Sequence, residues 1–201
     1  MNLENFIEDL SSEKPAPGGG GASAMFGVVG SALTSMVCAL TKGKKAYLEF
    51  DDFVRTKHDE ILQLQTELSG LIKADAEVYL VLNKAYKLPK DTPEQEKIRQ
   101  NAITDALKPA AKVPLQIMQL CANGIDITES LLGKTTKFAV SDLGCAAMGF
   151  KAGIKSAWLN VKINLNCSTD PMDDIEKPAR EILDKYIAAA DDLYKKVENL
   201  L

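Results

Sequence analysis

Apolar residues recur along most of this chain at spacings of three and four, the period that lines one face of an α-helix. Leu3, Phe6, Ile7 and Leu10 predict a short N-terminal helix. A second begins after a run of glycines and carries no charged residue between Lys14 and Lys42. A third runs from Asp51 to about Leu88, where Pro89 ends it. Thr92, Pro93 and Gln95 then form a capping-box start for a fourth, which Pro109 and Pro114 are expected to kink or divide. Gly124 and Gly133 punctuate a short helix after it. Ser141, with Asp142 in the first turn, reads as the N-cap of the next. Ile182, Tyr186, Ile187, Ala190, Leu193, Tyr194 and Val197 predict a last helix beyond Asp173. No segment alternates as a strand would. The pattern predicts one all-α domain over residues 1–201, a helical bundle with a long central helix.

Two predicted helices carry stripes of small residues. Ser23, Gly27, Ser31 and Ser35 repeat every four positions, and so do Cys145, Gly149, Gly153 and Ala157. Such stripes let two backbones approach closely. The chargeless stretch is long enough to test as a membrane span, but its apolar part is diluted by Gly, Ser and Thr, and no Trp or Tyr flanks it. It reads instead as a fully buried central helix. The two striped helices are expected to be partners, within one subunit or across a dimer.

The long third helix contains one charge out of place. In heptads its a positions are Ile61, Leu68, Asp75 and Leu82, and its d positions Leu64, Leu71, Val78 and Ala85. Only Asp75 is polar. A carboxylate on a helix seam is costly unless hydrogen-bonded, paired or protonated. The pattern leaves open a structural network, a functional carboxylate or a different register. In the functional case burial would raise its pKa, which suits a proton shuttle near neutrality. His58 falls on the exposed side of the same register, and Tyr79 reads as core.

Composition narrows the chemistry further. The 201 residues include 28 acidic and 24 basic side chains, for a net charge of −4, which disfavours nonspecific binding to nucleic acid or an anionic membrane. A single histidine excludes a His-rich zinc site or an H-E-x-x-H motif within one subunit, so no metal site is expected. Cysteines 38, 121, 145 and 167 include no C-x-x-C pair, and they read as buried, reduced thiols of a cytoplasmic protein. The first residues carry Glu4, Glu8 and Asp9 rather than the basic start of a secretory signal. Gly18, Gly19, Gly20 and Gly21 would either expose helix N–H groups to a polar ligand or simply ease the chain into a crowded helix. Lys42, Lys44 and Lys45 either complement a helix C-terminus or meet a ligand carboxylate. Asn160, Asn164 and Asn166 line a polar pocket or turn the chain.

Taken in order, several segments resemble the cyclodeaminase/cyclohydrolase family of folate enzymes. They are Pro15-Ala16-Pro17-Gly18-Gly19-Gly20, Ala74-Asp75-Ala76-Glu77, Leu88-Pro89-Lys90 with Thr92-Pro93-Glu94, Ser141-Asp142-Leu143, and Asn160-Val161 with Ile163-Asn164-Leu165. The resemblance implies an all-α homodimer in its stand-alone form, acting on a tetrahydrofolate derivative without a further cofactor. It implies hydrolysis of 5,10-methenyltetrahydrofolate to 10-formyltetrahydrofolate, or else cyclisation of 5-formiminotetrahydrofolate with loss of ammonia. A non-catalytic dimerisation or folate-binding module is the alternative from another class. In the cyclodeaminase branch the aspartate matching Asp75 is the one assigned to catalysis. The glycine loop of Gly18, Gly19 and Gly20 would then approach the substrate. Ser141, Asp142 and Asn164 would line the pocket, and Lys44 or Lys45 would meet the glutamate tail. Gly21 departs from relatives that often have Ser there.

Overall fold

Capping residues, glycines and prolines set the helix ends in the computed structural model, which describes residues 2–201. Six helices follow one another: α1 (Leu3–Leu10), α2 (Gly19–Thr41), α3 (Asp51–Tyr86), α4 (Pro93–Ser130), α5 (Val140–Cys167) and α6 (Asp173–Glu198). Two short 3₁₀ turns, Lys45–Phe50 and Lys137–Ala139, lead into α3 and α5. Strands are absent among the described residues. Thr92 caps α4 as expected, its hydroxyl accepting from Gln95 N while Gln95 Oε1 accepts from Thr92 N. Gly43 and Gly133, both at positive φ, stop α2 and α4, a conformation glycine adopts without strain.

The two small-residue helices are partners within one subunit. A Cβ added to Gly149 would lie 3.1 Å from the Phe26 carbonyl of α2 and 3.2 Å from the Gly30 Cα. One added to Gly153 would lie 2.7 Å from Cys121 Sγ, and one added to Gly27 2.8 Å from the same sulfur. Backbones this close leave no space for side chains. The buried serines and threonines of α2 are satisfied within their own helix, Ser23 donating to Gly19 O, Ser31 to Val28 O, Thr34 to Gly30 O and Thr41 to Val37 O. α5 then packs on α4 and α6 as well, while α3 covers the other flanks of α2 and α4. On α3 the heptad positions Ile61, Leu64, Leu68, Leu82 and Ala85 are buried.

Several expectations need correction. Pro109 and Pro114 do not divide the fourth helix, and Gly124 does not punctuate it; α4 runs unbroken for 38 residues. Burial of Ala106, Leu107, Ala110, Ala111 and Leu115 around the prolines keeps the segment helical through both. Ser141 is not an N-cap, because the preceding 3₁₀ turn feeds straight into α5 and puts the cap at Ala139. Cys145 and Cys167 are exposed; only Cys38 and Cys121 are buried, and burial pushes those two thiols up to about 11 and about 12. α2 is long and apolar enough to cross a membrane. It is not enclosed on all sides, since Phe26, Val29, Met36 and Leu40 remain 42%, 50%, 39% and 47% exposed along one strip. His58 is half-buried: Lys42 Nζ meets its Nδ1 at 2.5 Å, and Ser35 Oγ lies 3.0 Å from Nε2. Burial, and then the Lys42 ammonium, lower its pKa.

Candidate active site

The N-terminus of α2 has no cap of its own. Gly18 stands at the cap position and offers no side chain, so the first N–H groups of the helix need another acceptor. The carboxylate of Asp75, reaching across from α3, comes to the Gly21 N–H. It packs directly on Gly20, where an added Cβ would collide with Asp75 Oδ1. Burial raises the Asp75 pKa, and the Gly21 amide pulls it partly back. No cation contributes to the shift. Such a carboxylate exchanges a proton nearer neutrality than an exposed one does, while the helix end stabilises its charged form.

Asp75 faces a cavity of about 440 Å³, of the size of a small organic ligand. The segment before α2 contributes Pro15, Ala16 and Gly18 to its wall, and the first turn of α2 contributes Gly19 and Gly20. Asp75, Val78, Tyr79, Leu82 and Tyr86 line it along α3, at the spacing of one helix face. Ala110 and Pro114 come from α4, and Asn160, Ile163, Asn164 and Cys167 from α5. The wall is mostly apolar, with few polar groups beside the carboxylate. Asn164 Nδ2 donates to the carbonyls of Ala110 and Asn160, and Asn160 Nδ2 donates to Ser156 O.

Of the residues singled out in the sequence, this cavity brings together Gly18, Gly19, Gly20, Asp75 and Asn164. It does not include Lys44, Lys45, Ser141 or Asp142. Those lie at the opposite end of the antiparallel α2–α5 pair, roughly 34 Å away at 1.5 Å per residue along α2. There Lys44 Nζ donates to Thr136 Oγ1 at 3.2 Å. Tyr79 is not a core residue but a half-exposed part of the cavity wall. Tyr86, Asn160, Pro114 and Cys167 belong to the wall too. The first two carry a readable signal, at i+11 from Asp75 and i−4 from Asn164. Pro114 and Cys167 carry none.

The bundle thus holds one desolvated carboxylate against a bare helix terminus, in a cavity sized for an organic ligand. Comparison with known proteins makes this specific. Residues 2–184 match the formiminotransferase-cyclodeaminase family. The methenyltetrahydrofolate cyclohydrolase of Methylorubrum extorquens is 41% identical over 162 residues, covering 81% of this chain and 78% of that one. The formimidoyltransferase-cyclodeaminase of Mus musculus is 31% identical over 169 residues, and the match spans 84% of this chain but only 31% of the mouse protein. The crystal structure of formiminotetrahydrofolate cyclodeaminase from Thermotoga maritima superposes with a TM-score of 0.82 at 27% identity, covering 100% of this chain and 96% of that one. The chain belongs to the formiminotransferase-cyclodeaminase family, and with it to the enzymes of folate one-carbon chemistry.

Proposed function

We propose that this protein hydrolyses 5,10-methenyltetrahydrofolate to 10-formyltetrahydrofolate with Asp75 as its proton shuttle. The observation that carries the reading is the desolvated Asp75 carboxylate on the glycine end of α2, facing the cavity. The Methylorubrum extorquens relative supports this activity over its neighbours, because the match covers most of both chains. The methenyl carbon is electrophilic and bonded to both N5 and N10. Asp75 takes a proton from water as the oxygen attacks that carbon, giving a tetrahedral centre. The bond to N5 then breaks, Asp75 returns its proton to N5, and the hydroxyl proton leaves to solvent. The formyl group stays on N10. A carboxylate whose pKa is raised suits both halves of this exchange.

Supplying methenyltetrahydrofolate and following its absorbance tests the assignment directly; no loss of substrate above the uncatalysed rate would sink it. Cyclisation of 5-formiminotetrahydrofolate is the second reading, favoured by the fit to the Thermotoga maritima cyclodeaminase. Ammonia release from that substrate separates the two. The same shuttle serves both, since ammonia replaces water as the third substituent on the carbon.

The reading extends to assembly. A second copy covering the open apolar strip of α2 makes a homodimer, supported by four large exposed side chains on one helix face. In an isologous pair whose two α2 helices run antiparallel and cross near their middles, the Lys44–Lys45 and Ser141–Asp142 end of one subunit comes beside the glycine end of the other. Only in that arrangement would the two lysines approach a substrate's glutamate tail. The reaction as written needs no added cofactor, and the protein is read as cytoplasmic, acting away from membranes and nucleic acid.

A further inference from the structure

Pro114 lies inside α4 and has no backbone N–H to give. The carbonyl of Ala110, one turn earlier, therefore lacks its helical donor. Asn164 of α5 supplies one: its Nδ2 donates to Ala110 O at 3.0 Å. The same nitrogen donates to Asn160 O at 2.8 Å. An amide nitrogen has two hydrogens, and both are now committed. Reversing the side chain would set Oδ1 against two carbonyl oxygens, so the network fixes which way the amide points. What remains is Oδ1, which has no protein partner among the described residues. It belongs to a side chain on the wall of the cavity that holds Asp75.

We propose that Pro114 is a positioning residue: by removing one helical N–H it locks Asn164 as an acceptor-only group, which selects a ring N–H of the substrate's reduced pterin. The proposal rests on the folate reading of this cavity. A reduced pterin presents N–H donors on one edge and a carbonyl oxygen elsewhere. A group that only accepts takes the donor edge and turns the carbonyl away, which orients the ring. Asn164 alone would not do this. With a free amide it would offer either end, and the ring would bind in more than one way.

The test uses Pro114→Ala, Asn164→Ala and the double variant. Alanine at 114 restores the helical N–H to Ala110 O and releases the Asn164 amide. Thermal stability of Pro114→Ala should equal or exceed that of the parent, because a helix-interior proline has been removed. Its KM should rise about tenfold, the scale of one lost hydrogen bond, while kcat stays within about twofold. Asn164→Ala should raise KM alike, and adding Pro114→Ala to it should change little, since the two act through one contact. Losses that multiply in the double variant would overturn the proposal, as would a less stable Pro114→Ala with kcat falling alongside. Nuclear magnetic resonance of the free protein provides a separate reading. The Asn164 side-chain NH2 should exchange slowly in the parent and at least about tenfold faster in Pro114→Ala. Equal protection in both would refute the lock whatever the substrate. Absence of folate turnover in the parent would instead refute the folate reading.

Discussion

Asp75 carries its negative charge in a place that disfavours it, and that makes two measurements predictable. Replacing it by Asn keeps the shape and removes the proton acceptor, so turnover should fall by about 10²–10⁴-fold, the range of a lost general acid–base group. Equal rates in the two proteins would remove Asp75 from the mechanism. Stability should move the other way. The folded pKa is raised, so the folded state holds the proton more tightly than the unfolded chain does. What Asp75 contributes is complete below the ordinary carboxylate pKa and is lost as pH climbs through the raised value. Asp75→Asn should therefore melt higher than the parent at pH 7, and the gap should close below about pH 4. Thermal melts across that range check the sign. Gly20→Ala is the steric counterpart: its methyl collides with the Asp75 carboxylate, so activity should be lost while the helical circular dichroism survives. Asp75 was legible in the sequence because it broke an otherwise apolar seam. The orientation of Asn164 was not, because it depends on a proline in a different helix. His58 was misplaced for a like reason, since its partners Ser35 and Lys42 come from α2 and its loop, which the register of α3 does not contain.

At the scale of helices, close approach between α2 and α5 sets the packing. A side chain at Gly149 meets the backbone of Phe26 and Gly30, and backbone cannot swing aside as a flexible side chain can. Gly149→Leu should lower the melting temperature or abolish soluble folded protein through overpacking; an unchanged melt would show that the two helices slide apart freely. These stripes could be read from spacing alone, and so could the Thr92 capping box, whose partners are three residues apart. The continuity of α4 could not. Pro109 and Pro114 are local signals against a helix, and the burial that overrides them comes from tertiary neighbours. Ser141 failed likewise, because a 3₁₀ turn moved the helix start by two positions.

For the whole molecule, the open strip of α2 separates the monomer from its assembly. Val29→Glu places a charge at its middle, at a position half-exposed in the single chain. The variant should keep its fold and sediment as a monomer where the parent sediments as a dimer. It should also lose the contribution of Lys44 and Lys45 to binding of polyglutamylated substrate, measurable as equal KM values for mono- and polyglutamate forms. Equal mass for parent and variant would show that this strip is not the contact. The sequence allowed the all-α architecture to be read because helical periodicity is carried by each segment separately. Within one subunit Lys44, Lys45, Ser141 and Asp142 share an end of the bundle with one another rather than with Asp75, a grouping that helical periodicity does not carry.

The missing cap of α2 has one more consequence, which concerns how the chain reaches this state. A helix that carried its own Ser or Asp at the start could close its first turn early, from neighbours in sequence. Here the acceptor arrives from the far half of α3, so the N–H groups of that first turn gain it only when two long helices have already docked. Long-range closure of this kind comes late, because chain entropy must be overcome before the contact repays it. The Asp75 side of the cavity is therefore expected to close only after α2 and α3 have docked. Partly folded chains, though rich in helix, would have no competent site with which to capture a reactive one-carbon unit.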